Sequence, residues 1–368
     1  MRLPSLTLAL ALALSGASRP AVAQSGASEP FKLGTFRQSG RTFLGVVLGD
    51  TRVVDLAKAN AAYEGGNASA MKLTLPGEMN ELISRYESEW KPRLSAIATT
   101  AARAAAAPAY VYALESLETL PPVRPSIILN AGGNYEEHTQ GIAAQQQRSG
   151  AGPAPAATPE AVSLPGIWER KPGDPRQNPY LFLKSPTTVT GPFDPIRIPV
   201  GRTRIDFECE FNIVIGKVAD HVPLDRAADY IFGYTIQIDV SDRGGRGDRK
   251  MGGSDWLVGK NRDTFAPIGP FIVPKEFVAN PLNTKQTFTL NGEVMQDSNT
   301  SRMAHNIYEL LHFASNMLTL RPGDLIAGGS PAGTNIERAE PRWMRAGDNA
   351  VCTLEGIGTQ KHAVIAAK

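Results

Sequence analysis

The sequence has only two cysteines, Cys209 and Cys352, in 368 residues. It contains no Cys-x-x-Cys pair and no Cys/His cluster, so zinc and iron–sulfur sites are unsupported. In an oxidising compartment the two cysteines could pair. Both lie in apolar, strand-like stretches, which favours two buried thiols packed as small hydrophobes. The chain also lacks a charge excess: 38 basic residues stand against 36 acidic ones. That balance argues against nucleic acid or an anionic membrane as a partner. No apolar run approaches the roughly 20 residues that a bilayer span requires. The glycine-rich stretch Asp242–Asp248 lacks a Gly-Lys-Ser/Thr ending and opens no helix, so it is not read as a phosphate cradle.

What is present begins with a secretory pattern. Arg2 supplies a short basic region, Leu6 to Leu14 a Leu/Ala core, and Ala21-Val22-Ala23 a small-x-small cleavage site. Residues 1–23 are therefore expected to be a signal peptide, and the protein to be exported, periplasmic or secreted. Loss of Arg2 and Arg19 with that peptide leaves a neutral, soluble mature chain without membrane contact. Residues 24–120 read as a small N-terminal domain. Short apolar runs and turns around Phe43–Leu48 and Val53–Leu56 suggest a strand meander, and Met79, Leu82, Ile83, Tyr86 and Trp90 have helical spacing. Residues 121–368 read as a second, β-rich domain with strands over Tyr180–Lys184, Phe207–Ile215, Tyr234–Val240 and Val351–Leu354. One amphipathic helix is expected over Ser301–Leu318. The Gln-, Ala-, Gly- and Pro-rich segment within 138–178 has almost no large apolar residue and is expected to be a loop or lid. The resulting fold class is α+β.

The chemistry concentrates on two strands. Along Asp206-Phe207-Glu208-Cys209-Glu210-Phe211-Asn212-Ile213 the polar residues share one face and the apolar residues the other. The second strand, Gln237-Ile238-Asp239-Val240-Ser241, adds a third carboxylate. Two readings stay open on pattern alone. One is a solvated acidic face; the other is a hard cation held by carboxylate oxygens, which relieves their mutual repulsion.

Seven motifs in order resemble the fumarylacetoacetate hydrolase family, in its C-terminal catalytic domain. They are Asn134-Tyr135-x-x-His138; Asp206-x-Glu208-x-Glu210; Asp239-Val240-Ser241-x-Arg243; Gly259-Lys260-x-x-Asp263-Thr264-Phe265; Leu290-Asn291-Gly292-Glu293; Pro322-Gly323-Asp324-Leu325-Ile326; and Gly329-Ser330-Pro331-Ala332-Gly333. The resemblance implies a β-rich mixed-sheet roll, usually dimeric, with Mg²⁺, Mn²⁺ or Ca²⁺ on Glu208, Glu210 and Asp239, Mg²⁺ foremost. It further implies catalytic roles for His138 and Lys260 and substrate binding by Tyr135, Arg243 and Ser330. The expected activity is hydrolysis of C–C bonds in acylpyruvate or β-diketo acid substrates, in a catabolic setting. The alternatives are 2-oxo acid decarboxylation, hydration or isomerisation at the same site, and a non-catalytic exported binding protein. One position departs from the pattern: relatives often carry a glutamate three residues after the histidine, and here Gly141 stands there. Glu137, Glu136 or a residue from elsewhere in the chain is the candidate to substitute for it, and the exact reaction depends on which.

Overall fold

The computed structural model describes residues 29–148, 174, 176–246 and 255–368. The expected signal peptide, and residues 149–173 and 175 of the expected lid, lie outside the described residues. The fold is α+β, built on two principal sheets. The larger starts with the N-terminal meander Lys32–Gln38, Arg41–Leu48 and Arg52–Asp55. It continues without a break through Ala266–Pro274, Ile231–Ile238, Cys209–Ile215, Leu325–Ala327, Ile128–Ala131 and Leu181–Lys184. The junction is the antiparallel pairing of the first strand with Ala266–Pro274, where Leu33 lies opposite Ile272. Leu325–Ala327 runs parallel to Ile128–Ala131, so the sheet is mixed. A five-stranded sheet, in the order Glu293–Asn299, Lys285–Leu290, Asn349–Leu354, Gly358–Ala366 and Ile196–Ile198, packs against it.

Between the two sheets lies a continuous apolar layer. Cys209, Phe211 and Ile213 project into it from the larger sheet, with Phe207 just before that strand, and Phe288, Leu290, Cys352 and Leu354 from the smaller. Phe207 stacks on Phe288 with ring centroids 4.2 Å apart. The expected alternation therefore holds in direction, but the opposite face is also buried: every residue of Cys209–Ile215 is inaccessible to solvent. Cys209 and Cys352 are joined by a disulfide, with Cα atoms 5.7 Å apart. This corrects the expectation of two thiols. The reason is tertiary: the two strands belong to different sheets 143 residues apart in sequence, and only their stacking brings the side chains within bridging distance.

Three expected elements differ in extent. The strand expected over Phe207–Ile215 breaks at Phe207 and Glu208, leaving Ile205–Asp206 to pair with Ser241–Asp242. The helix expected from Ser301 starts at Ile307 and ends at Ser315. Asn306 caps its first turn by accepting from the Tyr308 and Glu309 amides, while Glu309 bonds back to the Asn306 amide. Finally, the start of the expected lid loop is a helix, Glu136–Arg148. Its Ala, Gln and Arg residues are good helix formers, Gln140 bonds Glu136 one turn back, and Arg148 donates to the Glu337 carbonyl. Such a helix orders by docking on a neighbour rather than through a core of its own.

The inter-sheet layer yields a direct test. Phe288→Ala removes a fully buried ring from the stack and is expected to cost about 3–5 kcal/mol in equilibrium denaturant unfolding. A loss under about 1 kcal/mol would mean that the layer collapses onto the vacancy.

Candidate active site

The three carboxylates of the acidic pattern converge where two antiparallel strands end. Cys209 lies opposite Ile238, which places Glu208 and Glu210 on either side of this position and Asp239 just beyond it. The Asp239 amide donates to the Glu208 carbonyl at 2.8 Å, tying two of the three together through the backbone. One ligand oxygen from each of Glu208, Glu210 and Asp239 lies within 4.8 Å of the others. All three side chains are buried, which excludes the solvated acidic face. Buried like charges so close require compensation, and the surrounding residues supply part of it.

Three cations come from three different elements. Lys260, at the end of the short helix Trp256–Lys260, donates to Glu208 Oε2 and Asp239 Oδ2, each at 2.5 Å. Lys184, at the end of Leu181–Lys184, donates to Asp239 Oδ1 at 2.5 Å and to the Val240 carbonyl at 3.3 Å. Arg243 pairs with Glu208 and, at 3.2 Å, with Asp206. Glu210 is treated differently: among the described residues its Oε2 accepts from two neutral donors, Asn130 Nδ2 and the Gly329 amide, both at 3.2 Å. Gly329 has a φ of +92°, and a Cβ there would stand 2.8 Å from the Ala131 carbonyl oxygen, so the close backbone approach requires glycine.

These surroundings separate the two glutamates. Burial opposes ionisation of Glu208, but Arg243 and Lys260 outweigh it and hold the carboxyl well below the usual carboxylate range. Burial together with the neighbouring Asp239 and Glu208 charges pushes Glu210 well above that range. A divalent cation among these oxygens would supply the positive charge that Glu210 lacks. Three convergent carboxylates are also a hard-oxygen donor set of the kind that holds Mg²⁺, Mn²⁺ or Ca²⁺. The residues present therefore fit a metal.

His138 lies on the first turns of the helix Glu136–Arg148 and is buried. Its Nδ1 meets Glu337 Oε1 at 2.5 Å. Glu337 is fixed in turn by the Thr334 hydroxyl at 2.6 Å, the Thr334 amide at 3.2 Å and the Gly333 amide at 3.1 Å. Burial works against its ionised form, but the His138 contact and these donors hold its carboxyl below the usual range. A Cβ added at Gly141 would meet Glu337 Oε2 at 2.7 Å and Cγ at 2.9 Å. The missing glutamate is thus replaced from another segment, and Gly141 leaves the room it occupies.

Three functional candidates escape the sequence reading. Lys184 looks like the end of an apolar strand, and Asn130 like part of a turn. Glu337 carries one local signal, the Thr334-x-x-Glu337 spacing of a capping box, which the structure forms; its bond to His138 is visible only in three dimensions. Of the expected substrate-binding residues, Tyr135 is fully buried with its hydroxyl 3.3 Å from Gln286 Oε1. Ser330 accepts from Gln296 Nε2 at 2.9 Å and donates to the Pro331 carbonyl at 3.1 Å. Arg243 serves the two carboxylates named above.

With this geometry in hand, similarity to known proteins is specific. Residues 128–365 match the family model for the fumarylacetoacetate (FAA) hydrolase C-terminal domain. The chain is 32% identical over 319 residues to oxaloacetate tautomerase FAHD2A, mitochondrial, of Bos taurus, covering 84% of this chain and 88% of that protein. Among solved structures, a 5-carboxymethyl-2-hydroxymuconate delta-isomerase from Mycobacterium smegmatis superposes with a TM-score of 0.61 at 26% identity, covering 92% of this chain and 99% of that one. The maleylpyruvate hydrolase of Sphingobium sp. SYK-6, in complex with manganese(II) and pyruvate, superposes with a TM-score of 0.62 at 25% identity, covering 92% and 100%.

The metal reading of the triad has its own test. Glu210→Gln is expected to weaken Mn²⁺ binding in calorimetric titration by more than the roughly 10–100-fold typical of outer-shell changes. Unchanged affinity would place the cation elsewhere.

Proposed function

The chain belongs to the fumarylacetoacetate hydrolase family, and from that premise we propose that it is a metal-dependent hydrolase cleaving a C–C bond in acylpyruvate or β-diketo acid substrates. The observation that carries this reading is the His138–Glu337 pair beside the carboxylate triad. Glu208, Glu210 and Asp239 would hold a divalent cation, which would supply Lewis-acid polarisation of the substrate and stabilise developing negative charge. Mg²⁺ is the leading candidate, and the Mn²⁺ in the maleylpyruvate hydrolase complex supports a divalent ion of this class.

The protein groups divide the remaining work. Glu337 against Nδ1 sets the imidazole of His138 with its proton on that side, which leaves Nε2 as the base. The imidazole then takes a proton from water, and the buried carboxylate stabilises the imidazolium that forms. Attack of the resulting hydroxide on the distal carbonyl breaks the bond between that carbon and the carbon next to it. The electron pair of the broken bond stays on the oxo acid fragment, and the proton held by His138 satisfies it. Lys260, already buried beside Glu208 and Asp239, offers a positive charge to an oxyanion close to the triad.

A second reading, tautomerisation or isomerisation of a 2-oxo acid, draws support from the tautomerase relative and the isomerase fold neighbour. It uses the same base on a carbon-bound proton and needs no water. The binding-protein alternative rested on the absent dyad glutamate, and Glu337 removes that support.

Two properties of the sequence extend this proposal. Export through residues 1–23 is supported by the disulfide, a bond that persists in oxidising compartments. Homodimer formation is supported by the exposed apolar side chains Tyr180, Leu183, Leu257, Met317 and Leu318, which line one groove. Size-exclusion chromatography with light scattering is expected to give twice the chain mass, and a monomer at micromolar concentration would refute the dimer.

The activity is tested by incubating purified protein with acetylpyruvate, with and without EDTA. Chelator-sensitive formation of pyruvate and acetate is expected; loss of enol absorbance from oxaloacetate without cleavage of acetylpyruvate would favour the second reading. Glu337→Gln should lower kcat by about 10²-fold or more, and Gly141→Ala should lower it in the same direction by displacing Glu337. Wild-type turnover in Glu337→Gln would remove the dyad from the mechanism.

A further inference from the structure

The disulfide lies at the back of the metal-ligand strand. Cys209 is the residue between Glu208 and Glu210, and strand alternation sends its side chain into the inter-sheet layer while both ligands face the opposite way. Its sulfur is bonded to Cys352 in Asn349–Leu354, a central strand of the five-stranded sheet. Its amide is also turned toward that sheet, donating to Gln296 Oε1 at 3.0 Å. Gln296 is itself buried and fixed by Ser330 and by the Pro331 carbonyl at 2.8 Å.

The chain needs such an anchor at this point. Phe207 and Glu208 fall in the break between two strands, so Glu208 is not held by a continuous ladder. Its carbonyl accepts from the Asp239 amide and its carboxylate pairs with Arg243 and Lys260, and the next residue, Cys209, adds the covalent anchor. The same residue also sets the starting point for Glu210. Ligand carboxylates must hold their relative positions within tenths of an ångström for a hard cation, and here they flank a covalent cross-link to the facing sheet.

We propose that the Cys209–Cys352 disulfide is a positioning device for the metal centre, so that divalent-cation affinity depends on its oxidation state. The inference rests on the metal-dependent reading above. Two-electron reduction by a dithiol breaks the S–S bond, leaves one proton on each sulfur and converts the dithiol to its own disulfide. The freed strand keeps its apolar packing but loses the covalent restraint between the two ligands. The protein is then fully competent in an oxidising compartment and impaired in a reducing one.

The test uses the full chain in oxidised form, the same protein reduced with dithiothreitol and desalted without oxygen, and a Cys209→Ala/Cys352→Ala double variant. Mn²⁺ binding is followed by electron paramagnetic resonance, and near-UV circular dichroism reports the packing. The expected result is intact packing in all three, Mn²⁺ affinity lower by about tenfold or more in the reduced and variant proteins, and a changed bound-Mn²⁺ line shape. Equal affinities overturn the inference and leave the metal reading standing. Loss of near-UV signal in both the reduced and variant proteins also overturns it, because the bond would then be a staple for the whole fold. Absence of Mn²⁺ binding by the oxidised protein sinks the metal reading itself.

Discussion

Burial of four carboxylates against three cations is the constraint on which the rest of the structure depends. Asp206, Glu208, Glu210 and Asp239 are all buried, and so are Lys184 and Lys260, while Arg243 reaches in from a turn. Charges removed from water are tolerable only when paired and hydrogen-bonded. The chain therefore has to deliver a strand end, a turn and a short helix to one point. That requirement explains why Leu181–Lys184 closes one end of the large sheet and why Trp256–Lys260 lies beside it. It also explains the one imbalance. Among the described residues no lysine or arginine forms an ion pair with Glu210, so this carboxylate feels the neighbouring negative charge most strongly. Four carboxylates against three cations leave one negative charge without a partner, and a cation bound among them would offset it.

The His138 side follows a different logic, one of space. A glutamate one turn along the helix could have reached the imidazole from the same element. Here Gly141 occupies that position, and its missing Cβ is the volume into which Glu337 projects. The carboxylate has changed element while its place beside the ring is filled. Its donors, the Thr334 hydroxyl and two turn amides, fix it more rigidly than a solvent-facing helix position would. A glutamate that is missing along the chain is thus supplied in space by another segment.

How far the sequence could be read follows from the range of the interactions. Alternation is local, so it oriented Phe207, Cys209, Phe211 and Ile213 toward the core and Glu208 and Glu210 away from it. It carried no information on whether the second face met water, because that depends on Lys184, Arg243 and Lys260 arriving from elsewhere. The ordered motifs supplied the triad, His138 and Lys260 by resemblance. Lys184, Asn130, Glu337 and the disulfide all depend on pairs distant in sequence, and no periodicity marks them. The helix at Ile307 is shorter than its apolar spacing suggests because a single capping residue, Asn306, competes successfully with continuation.

The base and the triad are also joined mechanically, through a residue that neither role would single out. Asp206 Oδ1 accepts from both the amide and the side chain of Asn335, each at 2.9 Å, and Asn335 belongs to the turn that carries Glu337. Its other oxygen accepts from Arg243, which grips Glu208. Three successive contacts, Asn335 to Asp206, Asp206 to Arg243 and Arg243 to Glu208, thus connect the segment that orients His138 with a carboxylate of the triad. Bonds of this kind are strong in a low-dielectric interior and leave little freedom for either end to move alone. Because proton transfer and charge stabilisation must meet on one substrate within a fraction of an ångström, holding both groups to a common buried carboxylate is a physical reason for a fourth acid beside three that could by themselves hold a metal ion.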